Sequence, residues 1–341
     1  MEGYNILNEM KTMDLKGRYL IKDTDFTQVL FNELIDSAIK LKKDKALGIV
    51  HHELQGKNIA LLFDKPSMRT RAAFVCAASE LGAHAEFLSD SDIKIGEKDT
   101  IEDTAIVLSR YFDGIQYRHS SQQRVETFAQ YAEVPVWNGM TDDWHPTQML
   151  ADFMTIKEHF GHLEGITLTY LGDGRNNMAH SLMMSGAICG LHIRICAPET
   201  LQPDAHVLKQ AITSAKQSNG SIEVTTNIDE AVRGADILYT DTWASKGEES
   251  AIASRIALLK DFQVNQELME KTGQRHTLFF HCLPAIHNTE TEFGQMIYEK
   301  FGLTALEVTD DVFKSKQCKS FEQTENKLHT LKALMIATIA G

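Results

Sequence analysis

NIALLF at 58–63, AHAEFL at 83–88, GIQYR at 114–118 and VPVWNG at 134–139 are short apolar runs of strand length. Between them, TRAAFVCAASELG (70–82), IEDTAIVLSRYF (101–112) and VETFAQYA (125–132) space their apolar residues as helices do. Strands that are apolar almost throughout, separated by helices, predict a parallel sheet covered on both faces. The alternation resumes with ITLTYLGD (166–173), NNMAHSLMMSGAICG (176–190), HIRICAP (192–198), a helical stretch from Asp204 to Gly220, and SIEVTT (221–226). ADILYTD (235–241), HTLFFHCLP (276–284) and GLTALEVT (302–309) also read as strands. The expected class is α/β, with two doubly wound parallel-sheet domains.

A length of 341 residues agrees with two globular units. The expected division is 1–150 and 151–324. HPTQMLADFMTIKEHF (145–160) is a helix leading from one unit to the next. ENKLHTLKALMIATIAG (325–341) is apolar at helical spacing and must pack on something, and a return to the first unit would satisfy it.

Composition excludes several classes. With 43% hydrophobic residues the chain is no disordered segment. A net charge of −13 without a lysine-arginine run argues against a nucleic-acid reader, though a local basic pocket remains open to a small anion. No apolar run has the length of a membrane span, and the charged N-terminus is unlike a secretory signal. Five cysteines without a CxxC spacing suggest a reducing cytoplasm and neither a disulfide framework nor a zinc site.

Ligands of open α/β sheets bind at the carboxyl ends of strands. After the first strand comes Lys65-Pro66-Ser67-Met68-Arg69-Thr70-Arg71, with hydroxyls, guanidiniums and helix N–H groups suited to an oxyanion. It lacks the P-loop spacing, and the bland alternative is a helix cap with solvated arginines. Arg118 ends GIQYR, where a lone arginine is usually a surface charge. His145-Pro146-Thr147-Gln148 opens a helix, and Thr147 there has an alternative use as a cap. Asp173-Gly174-Arg175-Asn176-Asn177 has one glycine, so a dinucleotide loop is a poor fit, and its asparagines suit a carboxylate ligand or a cap. Asp241 to Gly247 offers a carboxylate for an ammonium group, or simply a turn. His281-Cys282-Leu283-Pro284 puts a thiol after an apolar strand, where a plain core cysteine is the commoner outcome.

Taken in order, these motifs resemble the aspartate/ornithine carbamoyltransferase family, its ornithine branch most closely. Ser67-Met68-Arg69-Thr70-Arg71 matches the family's Ser-Thr-Arg-Thr-Arg, and His145-Pro146-Thr147-Gln148 is intact. His281-Cys282-Leu283-Pro284-Ala285 is the ornithine-branch form, and Asp241-x-Trp243-x-Ser245-Lys246-Gly247 has lysine in place of methionine. The likeness runs from about residue 14 to the C-terminus.

The resemblance implies a carbamoyl-phosphate domain holding the C-terminal helix, an amino-acid domain, and a homo-oligomer built on trimers. A neighbouring subunit would send Lys94 into the site. The implied reaction moves the carbamoyl group of carbamoyl phosphate to the side-chain amine of L-ornithine, giving citrulline and phosphate without cofactor or metal. Ser67, Met68, Arg69, Thr70, Lys94 and Lys327 would hold the phosphate end. Arg118 would bridge phosphate and carbonyl, and His145 would donate to the carbonyl oxygen. Gln148 and the Leu283 carbonyl would hold the carbamoyl NH2. Asn177, Asp241, Ser245 and Lys246 would hold ornithine, with Cys282 beside the attacking amine.

Departures from the pattern keep alternatives open. Met68 removes a hydroxyl, a loss typically worth roughly 1–3 kcal/mol when the charge stays desolvated. Lys327 replaces an arginine, exchanging a fork for a point charge. Lys94 stands where the branch has glutamine and returns a cation. Another acceptor amine, or a low-activity or regulatory paralogue, are the rival readings. Aspartate suits Asp241 poorly, and putrescine leaves Asn177 and Ser245 without a carboxylate.

Overall fold

The computed structural model describes residues 15–89, 93–244 and 249–340, with side chains at 249 and 250 excepted. It divides into two compact units, 1–161 with 324–341, and 162–323.

The first unit runs α1 (Gln28–Ala46), β1 (Asn58–Phe63), α2 (Met68–Glu80), β2 (His84–Ser89), α3 (Ile101–Tyr111), β3 (Gly114–Arg118), α4 (Gln122–Tyr131), β4 (Val136–Met140) and α5 (Pro146–Phe160). Its four strands are all parallel in the order β2-β1-β3-β4. The apolar runs earn this arrangement: five residues of β1 and four of β3 are buried, so both faces of the central strands are covered. One side packs Ala60, Leu62, Ile115 and Tyr117 against Val125 and Phe128 of α4. Thr27, Thr100 and Ser121 cap α1, α3 and α4 with their hydroxyls.

Residues 146–156 of α5 are buried on every side, the polar Gln148 and Asp152 among them. The expected division at 150 therefore falls in mid-helix. The observed one follows the left-handed Gly161 that ends it.

The second unit runs β5 (Thr167–Leu171), α6 (Asn177–Cys189), β6 (His192–Cys196), α7 (Ala205–Ala215), β7 (Ser221–Thr225), α8 (Ile228–Val232), β8 (Ile237–Thr240), α9 (Glu249–Leu259), α10 (Gln266–Lys271), β9 (Leu278–Phe280), α11 (Glu292–Phe301) and α12 (Asp310–Phe313). Its sheet is parallel in the order β7-β6-β5-β8-β9.

The strand expected at 302–309 is absent. Its backbone is shared between two loops instead: Leu306 N–H donates to the Ile286 carbonyl, and the Glu307 carbonyl accepts from Val264. Glu307 turns inward, where its carboxylate accepts from Ile286 N–H at 2.6 Å. β9 stops at Phe280 for a similar reason, because His281 N–H goes to Gln323 Oε1 and Leu283 N–H to His281 Nδ1.

The last helix, α13 (Ser320–Met335), continues as a π-helical turn (Ile336–Ala340). From residue 324 onward it belongs to the first unit. There Lys42 Nζ donates to Asn326 Oδ1 at 2.8 Å, Lys332 Nζ to Glu80 Oε2 at 2.9 Å, and Trp137 Nε1–H to Thr338 Oγ1 at 3.1 Å. Among the described residues no helix is long and apolar enough to cross a membrane.

Candidate active site

In the first unit Ser67, Arg118 and His145 lie at or shortly after the carboxyl ends of β1, β3 and β4, whereas Gln148 lies in α5 and Lys327 in α13. Ser67 stands at the N-cap of α2, yet its hydroxyl makes no capping bond, so the cap alternative for this residue is removed. Thr70 is buried, and Arg118 Nη1 donates to its Oγ1 at 3.4 Å and to the Gly139 carbonyl at 3.5 Å. Both contacts are long for a guanidinium. Gly139 is the extra residue where the β3–β4 register slips, since Tyr117 faces Asn138 and Arg118 faces Met140. Arg71 is differently engaged: its guanidinium lies 3.8 Å from the centroid of the Phe87 ring. The Met68 side chain is 75% exposed, so its backbone N–H is what it can offer a phosphate.

His145 is the N-cap of α5 and is buried. Burial, then the charges of Lys327 and Arg118, hold its pKa well below the usual histidine value. It is therefore a neutral imidazole with one N–H to donate. Thr147 Oγ1 donates to the Asn138 carbonyl at 3.1 Å, tying the start of α5 to β4. Gln148 accepts from Lys327 Nζ at 3.1 Å and donates to Asp152 Oδ1 at 2.7 Å. Sequence reasoning missed Asp152. Its only signal is the i,i+4 spacing from Gln148 on one helix.

Lys94 pairs within its own loop. It has φ 51°, is half exposed, and pairs with Glu97 at 3.9 Å. Its loop is held by Arg124 Nη2, which donates to the Ile95 carbonyl.

In the second unit the groups converge at the ends of β5, β8 and β9. Asn176 caps α6 through Oδ1, and its Nδ2 donates to the Tyr170 hydroxyl at 2.8 Å and to Asp241 Oδ2 at 3.3 Å. Asn177 follows as the first helical residue. Asp241 Oδ1 accepts from Cys282 Sγ at 3.2 Å and from Thr242 N–H at 2.8 Å. Cys282 is half-buried, unlike Cys196, whose thiol burial pushes up to about 12. The core-cysteine alternative thus fits Cys196 and not Cys282. Leu283 takes φ 60° ahead of a cis bond to Pro284. Burial, with Asp241 and Asp173 nearby, pushes Tyr170 well above the usual phenol range, so it stays a neutral hydroxyl. Burial works against ionised Asp173, but hydrogen bonds from Arg175 and Arg255 outweigh it and keep that carboxyl low. Ser245 and Lys246 lie outside the described residues.

Asp241, His281 and Cys282 bring oxygen, nitrogen and sulfur donors within 4.8 Å of one another. Soft divalent ions accept such a set. Here the Cys282–Asp241 bond and the Leu283 N–H on His281 Nδ1 already occupy the same groups.

The neutral histidines carry a prediction about stability. His329 of α13 is driven down to about 3, first by burial and then by Lys332, Lys42 and Lys45. In the unfolded chain both His145 and His329 take up a proton near pH 6.5. Between that pH and their folded values the unfolded state binds more protons, so stability is full above about 6.5 and falls as pH drops. Each group contributes up to about 1.4 kcal/mol per pH unit. Urea midpoints should decline from pH 6.5 to 5, and His329→Leu should flatten the decline. A midpoint constant across that range would contradict the assignment.

A sequence profile described as the carbamoyl-phosphate-binding domain of aspartate/ornithine carbamoyltransferase matches residues 18–158. Its companion, the Asp/Orn-binding domain, matches residues 164–338. The chain is 59% identical to a protein named ornithine carbamoyltransferase, catabolic, from Staphylococcus aureus, over 97% of this chain and 98% of that one. It is 54% identical to the Bacillus licheniformis protein of that name, over 96% and 98% of the respective chains. The solved ornithine carbamoyltransferase from Pyrococcus furiosus superimposes with a TM-score of 0.88 at 39% identity, covering 96% of this chain and 98% of the other. The two parallel sheets, the strand-end residues and these likenesses agree, and the chain belongs to the aspartate/ornithine carbamoyltransferase family.

Proposed function

We propose that the protein transfers the carbamoyl group between carbamoyl phosphate and the side-chain amine of ornithine. The observation that carries this reading is a neutral, buried His145 under the charges of Lys327 and Arg118. Cations of that kind suit a phosphate, and a neutral N–H donor suits an oxygen that gains charge only during reaction.

Ser67, Arg69, Thr70 and the Met68 N–H hold the phosphate, with Arg118 reaching between phosphate and carbonyl. Gln148 accepts from the carbamoyl NH2, and Lys327 supplies charge beside it. In the second unit Asn177, Ser245 and Lys246 meet the ornithine carboxylate, and Asp241 meets its α-ammonium. Cys282 lies next to the amine that attacks. The neutral amine forms a bond to the carbamoyl carbon, the tetrahedral oxyanion collapses, and the carbon–oxygen bond to phosphate breaks. The amine's surplus proton leaves to phosphate or solvent. The same transition state serves the reverse reaction. The relatives' designation as catabolic supports citrulline cleavage as the working direction.

A citrulline assay with carbamoyl phosphate and a panel of ornithine, lysine, putrescine and aspartate tests the acceptor. Ornithine should be used at least tenfold better than the others, since each lacks or misplaces one charged partner. Aspartate or putrescine turning over in place of ornithine would overturn the reading.

A site completed by Lys94 needs a second copy, and we propose a trimer or a multiple of it. Lys94→Ala and Arg69→Ala subunits, each inactive alone, should regain part of the activity when mixed. A fully active monomer in light scattering would refute shared sites.

A further inference from the structure

We propose that Asp152 is a positioning residue that fixes which way round the Gln148 amide faces. This rests on the carbamoyl-transfer reading above. The two ends of a glutamine amide have nearly the same shape, so only their partners decide the orientation. Lys327 has donors alone, and the Asp152 oxygen facing Gln148 accepts. Lys327 Nζ meets Oε1 at 3.1 Å, and Asp152 Oδ1 meets Nε2 at 2.7 Å. A flipped amide would set donor against donor and acceptor against acceptor. Water does not rescue such a flip, because Gln148 is 4%, Lys327 5% and Asp152 0% exposed.

Helix geometry makes the arrangement stiff. Gln148 and Asp152 are four residues apart on α5, so they share a face. That stretch is buried all round, and neither side chain has room to leave. The amide dipole points its oxygen at the Lys327 ammonium and its nitrogen at the Asp152 carboxyl. The consequence falls on the substrate. An Oε1 locked outward accepts from a carbamoyl NH2 with its second lone pair, while a reversed amide presents NH2 to NH2. Asp152 need not touch the reacting atoms.

The test pairs Asp152→Leu, close in size but without an acceptor, with Asp152→Asn, whose carbonyl oxygen meets the same Nε2. Asp152→Leu should lower kcat/KM for carbamoyl phosphate about tenfold or more. Inhibition by inorganic phosphate, which needs no amide acceptor, should stay within about twofold. Asp152→Asn should recover kcat/KM to within about threefold of the parent. In a Gln148→Ala background Asp152→Leu should add less than about twofold, because its effect runs through that amide. Parallel weakening of phosphate and carbamoyl phosphate, an Asn variant as poor as the Leu variant, or additive losses would each overturn the inference. If Asp152→Leu does not fold, Asp152→Ala carries the same expectations. A parent enzyme that makes no citrulline would instead refute the transfer reading itself.

Discussion

His145→Ala is expected to lower kcat by about 10²–10³, the usual cost of one donor to a developing oxyanion. Burial, Lys327 and Arg118 keep the imidazole neutral, so it donates one N–H without carrying charge of its own. A neutral donor gains most when the carbonyl oxygen becomes an oxyanion, and less in the ground state. Hence KM for carbamoyl phosphate should change little beside kcat. Because His145 stays unprotonated, no kcat inflection near pH 6.5 should trace to it, and any found should persist in the variant. Steady-state kinetics from pH 6 to 9 on parent and variant decide the matter. A loss under tenfold, or one confined to KM, would remove His145 from the oxyanion.

Asp241→Ala should show the opposite pattern. Its side chain receives the Cys282 thiol at 3.2 Å and Asn176 Nδ2 at 3.3 Å, contacts that would hold it in place for the proposed ammonium group. Removing a charge-assisted partner costs up to about 3 kcal/mol, or roughly a hundredfold in kcat/KM for ornithine. Inhibition by inorganic phosphate should be unchanged, since the residues proposed to hold it belong to the first unit. Should phosphate inhibition weaken with ornithine use, the division of labour between the units would be wrong.

How far residues announce their places depends on how local the signal is. β1 and β3 were legible because a strand buried on both faces is apolar throughout, and both occupy the residues expected of them. GLTALEVT failed for the converse reason. Its glutamate reads as an outward position in a strand, but Glu307 is buried to hold a distant loop. α1 went unread, although Leu30, Phe31, Leu34, Ile35, Ala38 and Leu41 repeat with helical spacing. The site followed the same logic. Strand ends are visible in sequence, so Arg118, Asp241 and Cys282 could be singled out without knowing the fold. Asp152 was not, because a mid-helix acid ordinarily marks a solvated face. Only three-dimensional packing shows it to be fully enclosed. Lys94 sits at the opposite extreme, half exposed, and the use proposed for it needs a second chain.

The central claim is a new bond between the carbamoyl carbon and the side-chain nitrogen of ornithine. Carbon-13 carbamoyl phosphate incubated with ornithine labelled with nitrogen-15 at the δ position tests it by NMR. The product's ureido carbon should appear split by one-bond coupling to nitrogen, with one phosphate released per citrulline. Label at the α position should leave that carbon unsplit. A coupled signal from the α-labelled amine, or phosphate released with no coupled carbon at all, would contradict the account.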